Sequence, residues 1–112
     1  MAKVTGIGGI FFKSQDPKRL YDWYDKRQGV KEGEVGTTVW SLFPSDTKYF
    51  EPSRAPFMVN YRVDDLDGML DALREQGVEI ERREDSEYGR FAWIADPEGN
   101  RIELWEPPKT SA

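Results

Sequence analysis

Apolar and polar positions alternate with two different periods along the chain, and the switches between them mark out its elements. Residues 7–13, IGGIFFK, form a short apolar run of strand type, followed by Ser14-Gln15-Asp16-Pro17. Asp16 can cap a helix and proline suits a first helical turn. Leu20, Tyr21, Trp23 and Tyr24 then recur at helical spacing until Gln28-Gly29, where glycine can take the left-handed closing position. The scheme returns further on. FMVNYRV at 57–63 alternates as a strand, Asp64-Asp65 can cap, Leu66, Met69, Leu70 and Leu73 form a helical stripe, and Gln76-Gly77 ends it. Three more strand-like stretches follow: VEIERRE at 78–84, RFAWIA at 90–95 and NRIELWE at 100–106, the last two joined by a turn at Asp96-Pro97-Glu98-Gly99.

The two halves align at an offset of 48 to 49 residues, with Phe12 meeting Tyr61, Lys13 meeting Arg62, Asp16 meeting Asp65, Leu20 meeting Met69 and Gln28-Gly29 meeting Gln76-Gly77. A duplicated module is the simplest reading. Module two reads β-α-β-β-β. In module one only TVWSLF at 38–43 follows the helix convincingly as a strand, because KEGEVG is too short and polar. Equating Ser41 with Glu103 on the last strands gives 32 residues from Gly9 to Ser41, against 45 from Met58 to Glu103. Thirteen fewer residues is about one strand and a turn, so module one is shortened by about one strand. The expected layout is a single domain over 1–112, with module one at 1–43, a linker at 44–56 and module two at 57–112. Tyr49-Phe50 in the linker is expected to pack as a staple.

Composition narrows the chemistry. The 112 residues include no Cys and no His, which removes disulfides, thiolate nucleophiles and imidazole bases, and with them Ser-His-Asp and Cys-His schemes. Any metal site would rest on carboxylates and carbonyls, favouring magnesium, calcium or manganese over zinc or copper. A formal charge of −5 with interspersed charges argues against nucleic-acid binding. No apolar run approaches the roughly 20 residues that span a bilayer, and the amino terminus lacks a signal-type apolar stretch. A cytoplasmic protein with neither membrane nor nucleic acid as partner is expected.

Two β-α-β-β-β modules, the strand-helix starts IFFKSQDPKRLYDWY and NYRVDDLDGMLDAL, and above all IADPEGNRIELWE at 94–106 resemble the vicinal oxygen chelate superfamily of glyoxalases, bleomycin resistance proteins and extradiol dioxygenases. The resemblance implies an α+β fold in which the two modules form a curved mixed sheet, a cup. In metal-dependent members four ligand positions face the cup, two from each module. The matching positions here are Gly9, Ser41, Met58 and Glu103. Only Glu103 is an ordinary hard-metal ligand, so no cofactor is expected, a weakly bound divalent metal being the alternative.

Alternation from those four positions puts further residues on the cup face: Phe11 and Lys13, Asn60 and Arg62, Val39 and Phe43, Arg101 and Trp105, with Phe91 and Trp93 on the neighbouring strand. The other face, with Ile10, Phe12, Trp40, Leu42, Val59, Tyr61, Val63, Ile102 and Leu104, would pack against the helices. The candidate ligand-binding set is Lys13, Ser41, Met58, Asn60, Arg62, Phe91, Trp93, Arg101 and Trp105, with Glu103 and Arg62 as candidate catalytic residues. Glutamate in an alternating strand ordinarily faces water and pairs with a cross-strand cation, which would make Glu103 a partner of Arg62 or Arg101.

Three functions compete on these residues. One is a metal-independent protein binding a small, partly aromatic or anionic molecule in the cup. Another is a lyase or isomerase with Glu103 as base and Arg62 stabilising an enolate. The last is a reduced scaffold without a working pocket. An edge left unpaired by the shortened module favours a homodimer, and the superfamily includes cases where modules pair between chains.

Overall fold

The computed structural model describes residues 2–28 and 39–109. Its elements follow in the order β1 (Val4–Ser14), α1 (Pro17–Gln28), β2 (Val39–Pro44), β3 (Phe57–Val63), α2 (Leu66–Glu75), β4 (Arg82–Ser86), β5 (Gly89–Ala95) and β6 (Arg101–Glu106). Module two is the expected β-α-β-β-β. Module one contributes β1, α1 and β2, and the expected shortening falls on residues 29–38, outside the described residues.

One six-stranded mixed sheet runs β2-β1-β3-β6-β5-β4. The modules join within the chain, where β1 lies antiparallel to β3. Each module pairs its first strand in parallel with its last, β1 with β2 and β3 with β6. The α2 boundaries follow from capping chemistry: Asp65 accepts from the Gly68 amide, and Gly77 takes φ of +83° just past the helix. Glu106 adds a second tie from the last strand, accepting from the Leu66 amide at 2.8 Å.

The face opposite the cup carries the core that two-residue alternation assigns to it. Val63, Leu66, Leu70, Ala92, Ile94 and Leu104 are buried together, with Tyr61 and Ile102 packed against them. Under α1 the contacts are aromatic. Trp40 meets Tyr21 and Tyr24 edge-on at 5.4 and 4.9 Å, and the Tyr21 hydroxyl accepts from the Leu42 amide at 2.5 Å. Phe12, expected beneath a helix, remains 41% exposed beside its register partner Phe57 at 38%.

The expected strand at 78–84 is corrected to Arg82–Ser86, four residues later. The apolar pair Val78 and Ile80 that suggested an earlier start packs instead beneath α2 as irregular chain. β4 itself is exposed throughout and reads RREDS, a charged edge of the kind that discourages further strand pairing.

Candidate active site on the cup face

Register places the cup-facing residues as alternation predicts. Across the sheet, Ser41 lies opposite Phe11, Phe11 opposite Met58, Asn60 opposite Glu103, Arg62 opposite Trp105, Trp105 opposite Phe91 and Glu103 opposite Trp93. Directly opposed residues share a face. Five strands thus present one continuous surface with Glu103 near its middle.

Glu103 is 2% exposed. Its Oε1 accepts from Asn60 Nδ2 at 2.5 Å, and its Oε2 accepts from Trp93 Nε1 at 2.9 Å and from the Tyr49 hydroxyl. All three partners donate, so the carboxylate acts purely as acceptor, the role of the ionised group. The expected salt bridge is corrected: among the described residues Glu103 makes no ion pair, with Arg62, Arg101 or any other cation. It points into the cup rather than to water. The Arg101 guanidinium instead lies over the Trp93 ring at 5.3 Å, donates to the Tyr49 carbonyl oxygen, and approaches Glu81 with its Nε 3.7 Å from Oε1. Arg101 fastens the linker.

That linker fills much of the cup. Phe50 is fully buried against Met58 and Trp93, with Phe11, Phe43 and Phe91 around them. The Lys13 ammonium sits 5.6 Å from the Phe50 ring centre. Tyr49 stacks on Phe43 with centroids 5.4 Å apart and turns its hydroxyl onto Glu103. The expected staple therefore also supplies a polar group to the site. Burial, reinforced by the neighbouring Glu103 carboxylate, pushes the Tyr49 phenol well above its ordinary range, so it stays a donor.

What the linker leaves open is a cavity of about 170 Å³ lined by Gly8, Phe11, Asn60, Tyr88, Phe91, Glu103 and Trp105. Phe91 and Trp105 lie nearly parallel, 6.3 Å between centroids, as its aromatic wall. Two glycines shape it. β1 slips register between Ile7 and Gly9, and a Cβ at Gly8 would lie 2.3 Å from Asn60 Oδ1 and 3.0 Å from Trp105 Cε3. A side chain there would occupy the space. In the β4–β5 turn, Gly89 has φ of +124° and a Cβ would lie 2.7 Å from Trp105 Nε1. Its absence lets that indole N–H reach the Tyr88 carbonyl oxygen at 2.8 Å, which fixes the ring as a wall.

Of the candidate ligand-binding residues, Asn60, Phe91 and Trp105 line this cavity beside Glu103, while Ser41, Met58, Arg62, Trp93 and Arg101 do not. Met58 and Trp93 are packed beneath the linker, and Lys13 belongs to a second cavity of about 560 Å³ at the start of α1, with Asp16, Arg19 and Trp23. In that larger cavity the buried Ser14 hydroxyl accepts from the Asp16 amide at 3.2 Å. Sequence reasoning missed Gly8, Tyr49 and Tyr88. A bulge and a hairpin tip carry no periodic signal, and the Tyr49-Phe50 pair in a polar linker was the only hint.

Of the four superfamily ligand positions, only Glu103 carries an ordinary hard-metal donor. Met58 is sealed under Phe50, Ser41 lies across β1 at Phe11, Gly9 has no side chain, and both Glu103 oxygens already accept hydrogen bonds. Among the described residues no three Asp, Glu, His or Cys side chains converge.

Comparison with solved structures returns the same architecture. Methylmalonyl-CoA epimerase from Mycobacterium tuberculosis is 25% identical, with a TM-score of 0.68 over 95% of this chain and 90% of its own. A variant of Streptomyces coelicolor methylmalonyl-CoA epimerase in complex with 2-nitronate-propionyl-CoA is 16% identical, with a TM-score of 0.72 over 98% of this chain and 99% of its own. A protein described as NAD-dependent benzaldehyde dehydrogenase from Legionella pneumophila is 12% identical, with a TM-score of 0.64 over 89% and 98%. Neighbours with such different descriptions share a fold, not a reaction. No curated protein matches the sequence. The profile of the Glyoxalase/Bleomycin resistance protein/Dioxygenase superfamily matches residues 42–104, from β2 through the buried Glu103, and the chain belongs to that superfamily.

Proposed function

We propose that this chain binds a small, partly aromatic molecule in the cup without a resident metal. The observation that carries the reading is the cavity itself: an aromatic wall of Phe91 and Trp105 facing two side-chain oxygen-bearing groups, Glu103 and Asn60. A concave, mostly apolar site with a few convergent polar groups is what small-molecule recognition needs. At about 170 Å³ it is smaller than the roughly 300 Å³ where drug-sized pockets begin, so the part it encloses is a single ring or short chain. An anionic group would meet a carboxylate at the floor, which favours the aromatic over the anionic alternative. The epimerase neighbours act on and bind CoA esters by their descriptions, which supports a small-molecule ligand in this fold.

The lyase or isomerase reading retains one supporting observation, that Glu103 borders the cavity. Arg62, its intended enolate partner, does not line it. A scaffold without a pocket is disfavoured by the glycines that keep the cavity open. Self-association also belongs to this reading, because Val4, Ile7, Phe12 and Phe57 leave apolar side chains exposed along β1 and β3. A monomer by light scattering at micromolar concentration would remove it. No helix among the described residues is long and apolar enough to cross a membrane, and a cytoplasmic setting stays part of the proposal.

A thermal-shift titration tests the binding reading with benzyl alcohol, Mg²⁺, Ca²⁺ and Mn²⁺ on wild type and Trp105→Leu. Benzyl alcohol at 100 times its Kd should add about 2.7 kcal/mol to wild type and much less to the variant. Stabilisation by a divalent ion but not by the alcohol would sink the proposal.

A further inference from the structure

We propose that the cavity beside Glu103 takes a protonated amine, an organic ammonium carrying one aromatic ring or a short apolar chain. This deepens the binding reading above and rests on it.

Three observations converge. Glu103 is buried, and its partners Tyr49, Asn60 and Trp93 are all neutral. A buried charge without a counter-charge is costly, and neutral donors relieve that only in part. Among the described residues no basic side chain pairs with Glu103 or lines the cavity, the Arg101 guanidinium lying instead over the Trp93 ring. Asn60, 4% exposed, supplies the second observation. Its Nδ2 must face the carboxylate, because the alternative orientation would set two acceptors against each other, so its Oδ1 is turned toward Gly8. That oxygen is buried and has no hydrogen-bond partner among the described residues. A carboxylate and an unpartnered carbonyl oxygen thus sit side by side at the edge of the cavity, closed to water as the side chains stand, and an N–H donor with a positive charge that reaches them satisfies both at once.

The walls make the third. Phe11, Tyr88, Phe91 and Trp105 surround the same space, and aromatic faces attract an ammonium through their quadrupoles. The basic groups on this face are Lys13, Arg62, Arg82 and Arg101, and none lines the cavity. Arg82 and Arg101 flank Trp93 at 5.5 and 5.3 Å, and Lys13 covers Phe50. A hard divalent ion is the poorer occupant, since the lining offers it one carboxylate and one amide among carbon walls.

Four single-ring probes separate the possibilities: benzylamine, benzyl alcohol, toluene and benzoate, titrated at pH 7 and followed at the Trp105 indole N–H resonance so that binding elsewhere is not counted. Wild type should bind benzylamine about tenfold more tightly than benzyl alcohol, consistent with one added charge contact. Toluene should be weaker still and benzoate weakest. Glu103→Gln should bring benzylamine to within about threefold of benzyl alcohol by losing the charge contact. The wild-type series decides the matter even if that variant does not fold. Benzyl alcohol, toluene or benzoate binding as tightly as benzylamine overturns the ammonium proposal and leaves aromatic binding standing. No response to any of the four overturns both.

Discussion

Tyr49→Phe isolates the hydrogen bond by which the linker reaches Glu103. The substitution keeps the ring that stacks on Phe43 and removes only the hydroxyl that donates to Glu103. Hydrogen bonds to charged groups contribute about 1.5–3 kcal/mol. Tyr49 is 38% exposed, so water can reach the vacated position and the lower end applies, about 1.5 kcal/mol. For a domain of this size that is a fall in Tm of about 6 °C. Urea denaturation followed by circular dichroism gives the free energy directly, and the same substitution in a Glu103→Gln background gives the coupling. There the loss should shrink below about 0.5 kcal/mol, because the charged acceptor is gone. A Tyr49→Phe protein as stable as wild type, or an equal loss in both backgrounds, would refute the assignment of Tyr49 as a hydrogen-bond partner that matters to Glu103.

Phe50→Ala removes a fully buried ring under the linker and should cost about 3–5 kcal/mol by urea denaturation, a large share of the roughly 5–15 kcal/mol that holds a domain together. Gly8→Ala pushes a methyl group against Asn60 Oδ1 and Trp105; it should destabilise by about 1–3 kcal/mol and abolish benzyl alcohol binding in the thermal-shift assay. The raised Tyr49 phenol makes stability depend on alkaline pH. The folded state holds this proton more tightly than the unfolded chain, so the contribution is fully present below the ordinary value of 10.0 and is lost as pH rises above it. Tm measured between pH 9 and 12 should therefore fall more steeply in wild type than in Tyr49→Phe.

Much of the architecture was legible because the signals were local. Asp65 and Gly77 bracket α2 by capping chemistry, and the alternation of FMVNYRV and NRIELWE placed Asn60 and Glu103 on one face before any pairing was known. The strand expected at 78–84 starts later because Val78 and Ile80 mimic alternation while packing under α2 as irregular chain. The site was legible only in outline. Period-two logic finds Asn60, Phe91, Glu103 and Trp105, but a register slip at Gly8, a hairpin tip at Tyr88 and a linker folding back through Tyr49 are tertiary events with no period. The cross-strand salt bridge that alternation offers Glu103 gives way for the same reason: its hydrogen-bond partners among the described residues come from β3, β5 and the linker, and all are neutral.

On the proposed function, ligand enters the cavity between Trp105 and Glu103 rather than the larger one at the start of α1. Each of the four tryptophans carries one indole N–H, and they divide between the two regions: Trp93 and Trp105 flank Glu103, whereas Trp23 and Trp40 lie at α1. Saturating ¹⁵N-labelled protein with benzyl alcohol should move the Trp105 and Trp93 indole resonances and leave those of Trp23 and Trp40 in place. Shifts confined to Trp23 and Trp40, with Trp105 unmoved, would contradict the account.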